Sequence, residues 1–168
     1  KHIVIGDDVT SVGDFAFDDF KNLETIVLGS SITRIGCYAF NRCKLLADIT
    51  LPDGLKEIDD YAFRYCTSLT NVTLPDSIEI IGDYAFGSCE NLREVVLPSS
   101  LRIIGASAFY HCTNLKSIVV PEGVEKIKEV DDFGEIMAKS VVDFFSKEST
   151  REIVERLRVA GVSMANEI

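Results

Sequence analysis

The chain has 168 residues, a net charge of −10 and a hydrophobic content of 46%. This apolar content is too high for a disordered acidic chain and is sufficient for a packed core. Residues 1–127 carry 11 basic against 18 acidic side chains, and residues 128–168 carry 6 against 9. Neither part therefore has the basic surface of a protein that binds nucleic-acid phosphates, and no apolar run approaches the roughly 20 residues of a membrane-spanning helix.

One pattern returns every 23 residues along most of the chain. Three kinds of residue mark it: Ala-Phe pairs at 16–17, 39–40, 62–63, 85–86 and 108–109; leucines at Leu23, Leu46, Leu69, Leu92 and Leu115; and cysteines at Cys43, Cys66, Cys89 and Cys112. A fixed period of this size predicts a solenoid, in which each repeat is one coil and the stacked coils share a continuous core. We expect these ladders of Phe, Leu and Cys to be core.

Residues 91–112 represent one coil. Leu92, Val95 and Leu97 follow the spacing L-x-x-L-x-L, which predicts a short strand with alternate side chains in the core, and Pro98 ends it. A second short strand is expected to end at Gly105, where we expect a turn with positive φ. The following A-F-x-x-C segment predicts a short helical turn that packs its Phe and Cys inward.

The repeated pattern L-x-x-I-x-L-P-x-x-L-x-x-I-G-x-x-A-F-x-x-C resembles the BspA-like leucine-rich repeat family. The resemblance covers about residues 1–127 and implies a right-handed solenoid, about five coils long, that is used for protein binding or adhesion. It implies no catalytic residues and, by analogy with surface proteins of the family, a secreted or cell-surface location. The pattern starts midway at Lys1 with no signal peptide before it, as in a piece of a longer protein.

The ladder cysteines recur at a spacing that brings neighbours to about 4.8 Å where coils pair, which is within disulfide range. No paired C-x-x-C spacing of a zinc site is present. We expect reduced, packed thiols, with Cys37 outside the ladder.

The period ends at Ile127, and helix signals follow in residues 128–168. An apolar stripe that includes Ile136 and Phe144 predicts one amphipathic helix. Ser149 and Glu152 form a capping box that begins a second helix. These helices are expected to cap the last coil of the solenoid.

Residues 130–163 also resemble the last helix-hairpin-helix unit of bacterial NAD-dependent DNA ligases. The matching positions are Phe133-Gly134, Ala138, Ser140-Val141, Phe144-Phe145, Arg151, Ile153, Leu157 and Ala160-Gly161-Val162. The resemblance implies a hairpin at Phe133 and Gly134 that grips a DNA phosphate through backbone N–H groups, and a cytoplasmic location. The adjacent Asp131 and Asp132 disfavour that contact, and the ligase nucleophile motif K-x-D-G is absent, so no ligase activity is implied.

The outward positions of the first strand recur in register and predict a binding strip. Its residues are Thr25, Val27, Asp48, Thr50, Asn71, Thr73, Glu94, Val96, Ser117 and Val119. Tyrosines such as Tyr38, Tyr61 and Tyr84 follow the turns; we expect them to cover the Ala-Phe ladder, with a binding surface as the alternative.

We find no catalytic or metal-binding constellation. His111 and Cys112 are neighbours that would face apart in a turn, and the acidic doublets, such as Asp59-Asp60, read as solvated turns rather than calcium loops. We therefore expect a non-enzymatic module that needs no cofactor or metal and binds a protein or glycan. The alternatives are a DNA-associated module that acts through the tail, which the net charge of −10 disfavours, and an engineered or truncated scaffold.

Overall fold

The computed structural model describes residues 1–116 and 118–127. Eleven short strands follow one another: β1 (His2–Val4), β2 (Ser11–Val12), β3 (Thr25–Val27), β4 (Arg34–Ile35), β5 (Asp48–Thr50), β6 (Glu57–Ile58), β7 (Asn71–Thr73), β8 (Ile80–Ile81), β9 (Glu94–Val96), β10 (Ile103–Ile104) and β11 (Lys126–Ile127). Strands of three residues alternate with strands of two residues up to β10, so each coil contributes one longer and one shorter strand.

All strand pairs in the described residues are parallel, and each joins positions 23 apart in the sequence. Thr25 pairs with Asp48, and Arg34 pairs with Glu57. The first strand of each coil builds the ladders β1-β3-β5 and β7-β9, and the second strand builds the six-stranded ladder β11-β10-β8-β6-β4-β2. The sequence period is therefore the register of the sheets, which confirms the solenoid predicted from it. The right-handed sense of the coil stays a prediction.

The core is a set of stacked ladders running through the coils. Phe17, Phe40, Phe63, Phe86 and Phe109 form a continuous stack with ring centroids 5.2–5.4 Å apart. Phe40, Phe63 and Phe86 are fully buried, as are Leu46, Leu69 and Leu92. Because each ring packs on its equivalent in the next coil, the predicted Phe and Leu ladders are confirmed.

The turn after the second strand is not the short helix that the A-F-x-x-C pattern predicted. The described residues contain no helix. Tyr38, Phe40 and Arg42 donate their N–H groups to carbonyls of the next coil, whereas the intervening Ala39 and Asn41 bond within their own turn. A helix directs every N–H along its own axis, so this alternation requires another backbone path.

Left-handed residues provide that path at two places in each turn. Tyr38, Tyr61 and Tyr84 have φ of 56°, 61° and 52°, and the second position, four residues later, includes Arg42 and Tyr65 at 60° and 61°. The prediction of positive φ at Gly36, Gly82 and Gly105 was wrong. In each of these turns the left-handed residue lies two positions after the glycine. Those glycines serve close packing between coils, because a Cβ on Gly82 would stand 2.5 Å from both the N and the Oδ1 of Asp60.

The predicted helical segment at residues 128–168, with its boundary at Ile127, lies outside the described residues. Its two helices and its role as a cap of the last coil stay predictions.

Candidate functional site

The predicted binding strip forms two exposed columns on the first strands of the coils. In β3, β5, β7 and β9 the central residue is buried and the two flanking residues are exposed. One column contains Thr25, Asp48, Asn71 and Glu94, and the other contains Val27, Thr50, Thr73 and Val96. The alternation that predicted these residues as outward-facing therefore holds for all eight, and their role in binding stays a prediction.

The second column is β-branched along its length. Val96 is 67% exposed and Val119 is 72% exposed, and Val4 lies exposed beyond the other end, paired with Val27. Thr50 and Thr73 stand between these valines. Such side chains have few rotamers, so binding a partner costs them little conformational entropy.

The first column is polar and acidic. His2 Nδ1 lies in hydrogen-bond contact with Thr25 Oγ1, and Asn71 donates to Thr70 Oγ1 at 3.3 Å. Asp48 and Glu94 carry the two charges of this column. The strip thus presents a polar, partly acidic column beside a column of valines and threonines. Ser117, the remaining strip residue, and Phe133 and Gly134 of the predicted DNA hairpin lie outside the described residues.

A second ladder of aromatic rings follows the turns. Phe15, Tyr38, Tyr61 and Tyr84 stack with centroids 4.9, 4.6 and 5.4 Å apart. The three tyrosines are half-buried, and each follows the glycine column and precedes the buried Ala-Phe pair. Burial, followed by the neighbouring ring of Tyr38, raises the pKa of Tyr61. The expected covering role therefore agrees with their stacking, and their outer edges remain accessible.

Arg34 is the centre of an ion-pair cluster between coils. Its guanidinium pairs with Asp59, with Asp14 at 3.3 Å and with Glu57 at 3.9 Å. The ligand atoms of Asp14, Cys37 and Asp59 lie within 4.8 Å of one another, a spacing that a metal ion could use. Because the arginine already supplies positive charge to both carboxylates, we interpret this cluster as a structural contact between coils.

Carboxylates in these turns form hydrogen bonds that sequence reasoning missed. Asp14 accepts from the N–H of Cys37 at 3.0 Å, Asp60 from that of Asp83 at 2.7 Å, and Asp7 from that of Ser30 at 2.7 Å. Each bond joins residues 23 apart. Aspartates that the sequence predicted to be solvated turn residues thus link successive coils. The signal that could have found them is the recurrence of Asp at 14, 60 and 83, each 22 residues before a glycine.

The cysteines of the described residues are free thiols. Cys66, Cys89 and Cys112 donate to the carbonyl oxygens of Phe40, Phe63 and Phe86, each at 3.1 Å. Burial raises the pKa of Cys43 to about 11 and that of Cys112 to about 12. The expectation of packed thiols is confirmed. Cys112 is buried whereas the adjacent His111 is exposed, so the two do not form a dyad.

Within the described residues, no helix has the length and apolar character that crossing a membrane requires.

Parallel coils of two short strands, with stacked Leu and Phe ladders, define a leucine-rich-repeat solenoid. The strand strip and the tyrosine ladder are its two distinctive surfaces. The chain belongs to the BspA type leucine-rich repeat family, because six copies of the family's repeat region match residues 10–131.

Solved structures share this architecture. The leucine-rich repeat protein of T. pallidum is 34% identical with a TM-score of 0.70, over 77% of this chain and 71% of that chain. A leucine-rich repeat protein of Bacteroides ovatus is 29% identical with a TM-score of 0.56, over 75% and 41%. The pneumococcal vaccine antigen PcpA, at 16% identity and a TM-score of 0.61 over 85% and 38%, supports the fold alone.

A short segment of the chain is similar to DNA ligases. Over 36 residues it is 61% identical to the DNA ligase of Caldicellulosiruptor bescii, which covers 21% of this chain and 5% of the ligase. Over 43 residues it is 46% identical to the DNA ligase of Porphyromonas gingivalis, which covers 26% and 6%. The resemblance to ligases is confirmed, and the chain spans about a twentieth of their length.

Proposed function

We propose that this solenoid is a non-enzymatic module that binds a protein partner through the strand strip. The observation that carries the proposal is the pair of exposed columns, one partly acidic and one β-branched, which are in register within β3–β5 and within β7–β9 and continue at the 23-residue period between them. Family membership and the similarity to leucine-rich repeat structures support a binding scaffold. An adhesive role follows if the partner belongs to another cell.

The physical argument rests on rigidity and on composition. The strip stands on backbone whose central side chains, such as Ile49, Val72 and Val95, are buried in the core. A partner therefore meets a surface whose shape is set before binding, which lowers the entropy lost on association. The valines of the second column supply apolar area to an interface, and the acids of the first column favour a partner with basic residues.

The test replaces the strip's centre by Thr50→Lys, Asn71→Lys and Glu94→Lys together. A matched control, Ser31→Lys, Asp76→Lys and Ser99→Lys, introduces the same change in charge at exposed turn positions. Binders are selected from a displayed library of protein fragments on the wild-type chain, and their affinities are measured for both variants. We expect most binders to lose about tenfold or more on the strip variant, since its central contacts are replaced. A majority that binds the strip variant as tightly as the control would exclude the strip.

A second candidate function is association with DNA through the ligase-like segment. The similarity of 61% over 36 residues to a DNA ligase favours it. The residues proposed to grip a phosphate are Phe133 and Gly134, through backbone N–H groups. The net charge of −10 opposes it, and no ligase activity is proposed.

Titration of the whole chain with duplex DNA at low salt tests this candidate. Binding that weakens steeply as salt rises, and that is lost on deletion of residues 128–168, would support it, because phosphate contacts release counterions. Absence of binding at low salt would eliminate DNA as a partner and would leave the protein-binding proposal unaffected.

A further inference from the structure

A basic and aromatic cluster lies in the turns after the second strands, away from the strand strip. We name it the Arg64 cluster, and it contains Arg42, Lys44, Arg64 and Tyr65. Arg42 donates its N–H to the carbonyl of Arg64, and Lys44 donates its N–H to the carbonyl of Arg42, each at 2.8 Å. The backbones of three basic residues are thus neighbours in adjacent coils of a chain whose net charge is −10.

Three tyrosine rings hold the guanidinium of Arg64. Its Cζ lies 4.6 Å from the ring centroid of Tyr65, 5.3 Å from that of Tyr61 and 5.2 Å from that of Tyr84. The equivalent position in the next coil is Gly87, which carries no side chain beside Tyr84. Rings on several sides restrict the arginine to few rotamers and orient it before any ligand arrives.

The cluster has no carboxylate partner of its own. Across residues 1–116 and 118–127, neither Arg42, Lys44 nor Arg64 takes part in an ion pair. The acids of the preceding turn are engaged elsewhere: Asp18 accepts from Asn41 at 2.8 Å, and Asp19 pairs with Lys21 at 3.4 Å. The buried Nε of Arg64 has no hydrogen-bond partner among these residues either. Arg34, by contrast, pairs with three carboxylates.

These groups suit an oxyanion. A guanidinium presents a planar fork of donors that matches a carboxylate or a sulfate, and the lysine adds a charge without a fixed geometry. The net negative charge of the chain does not prevent an anion from binding here. At physiological ionic strength, salt screens the interaction between the anion and acidic groups more than about 8 Å away. Hydroxyl groups of the surrounding tyrosines can donate to and accept from the hydroxyls of a sugar.

The tyrosines around Arg64 favour a polysaccharide over an acidic peptide. Their hydroxyl groups can bond the many hydroxyls of a sugar, which an acidic peptide does not offer. We propose that Arg42, Lys44, Arg64 and Tyr65 form a binding site for the sulfate or carboxylate groups of an acidic polysaccharide. This site is independent of the strand strip.

Calorimetric titration of the chain with a heparin-derived octasaccharide at physiological ionic strength, and again at higher salt, tests the proposal. We expect salt-sensitive binding, with Arg64→Gln lowering the affinity about tenfold because a charge-assisted contact is lost. Arg93→Gln is the matched control: it removes the same charge from an exposed position outside the cluster and should change the affinity less than about twofold. Thermal unfolding of each variant reports whether the fold is intact.

Other probes distinguish the source of the anion. Inorganic sulfate that competes at the same concentration as the octasaccharide would identify a site for small anions only and would overturn the polysaccharide. Polyglutamate that binds as tightly, with the same dependence on Arg64, would overturn it in favour of an acidic peptide. Neutral dextran should not bind.

A further variant covers the case in which Arg64→Gln does not fold. Arg42→Gln with Lys44→Gln changes two exposed side chains and leaves the tyrosine-held arginine in place. We expect this variant also to lose affinity for the octasaccharide. An unchanged affinity, or an equal loss in Arg93→Gln, would overturn the proposal. Since the strip residues are untouched, neither result bears on binding through the strip.

Discussion

Gly82 lies directly against Asp60 of the preceding coil. The carboxylate of Asp60 accepts a hydrogen bond from the N–H of Asp83 at 2.7 Å, and a Cβ on Gly82 would stand 2.5 Å from the same oxygen. The glycine therefore makes room for the hydrogen bond that joins the two coils. Asp59 takes the equivalent place one coil earlier, where the preceding coil has Cys37 instead of an aspartate.

Gly82→Ala should lower the free energy of unfolding by about 2–3 kcal/mol, because the backbone of the preceding coil at Asp59 and Asp60 must shift to admit the methyl group. Chemical denaturation measures the change. Gly54→Ala is the control, since its Cβ would have its nearest contact at 3.6 Å, and it should stay within about 0.5 kcal/mol of wild type. Equal effects at the two glycines would contradict the packing argument.

The carboxyl of Asp59 makes stability depend on pH. Burial, and then the charge of Glu57, raises the pKa of Asp59 to about 6 against the opposing charge of Arg34. The folded chain holds the proton of Asp59 more tightly than the unfolded chain does. The stability that this proton contributes is therefore fully present below about pH 4 and is lost as the pH rises through about 6.

Asp59→Asn should therefore be more stable than wild type at neutral pH. A shift of about two units corresponds to about 3 kcal/mol, which solvent screening reduces to about 1 kcal/mol. The gain should disappear near pH 4, as measured by denaturation across that range. Asp48→Asn, which removes an exposed carboxylate of the strip, is the control. A destabilised Asp59→Asn at neutral pH would refute the assignment.

The Phe ladder should dominate the stability of the core. Phe63→Ala removes a fully buried ring that stacks on Phe40 and Phe86 and should cost about 4 kcal/mol. Phe15→Ala removes a ring that is 57% exposed at the end of the tyrosine ladder and should cost less than about 1 kcal/mol. Thermal unfolding compares the two, and similar losses would argue against a ladder of this kind.

Alkylation should separate Cys37 from the four ladder cysteines. Cys37 is half-buried, whereas the ladder thiols are buried and donate to phenylalanine carbonyls, and burial raises the pKa of every one of them. With iodoacetamide under native conditions, mass spectrometry should find Cys37 modified first, since reaction requires an accessible thiolate. The ladder thiols should react only in denaturant. Early modification of Cys66 or Cys89 would show that the core opens locally.

The period of the sequence was sufficient to predict the parallel register and the core, because residues 23 apart are also neighbours in the sheets. The conformation of the turns could not be predicted from one coil. The left-handed φ of Tyr38 and the glycine at 82 depend on hydrogen bonds and contacts with another coil. Arg64 escaped notice for the same reason, since the rings around it include Tyr84 of the next coil.

The strip was predicted more completely than the Arg64 cluster. Alternation along a strand identifies exposed positions such as Thr50 and Val96 without knowledge of the neighbouring coils. A cation that lacks an acidic partner is visible only after the side chains of adjacent turns have been placed. Sequence reasoning therefore found the strand strip, which follows from backbone periodicity, and missed the Arg64 cluster, which depends on where long side chains of adjacent turns lie.

Paired strands are always 23 residues apart, so one coil can be removed or added without shifting the register of the others. Recombination between repeats that excised residues 37–59, a span of one period, would remove Cys37 and Asp59 together. Asp60 would then follow Gly36 and rejoin the column begun by Asp14, so the shortened chain would contain only glycine–aspartate steps from there to Gly105. This deletion would thus remove the two exceptional residues together and shorten the solenoid by one whole coil, and it would leave Arg34 with only Asp14 of its three carboxylate partners.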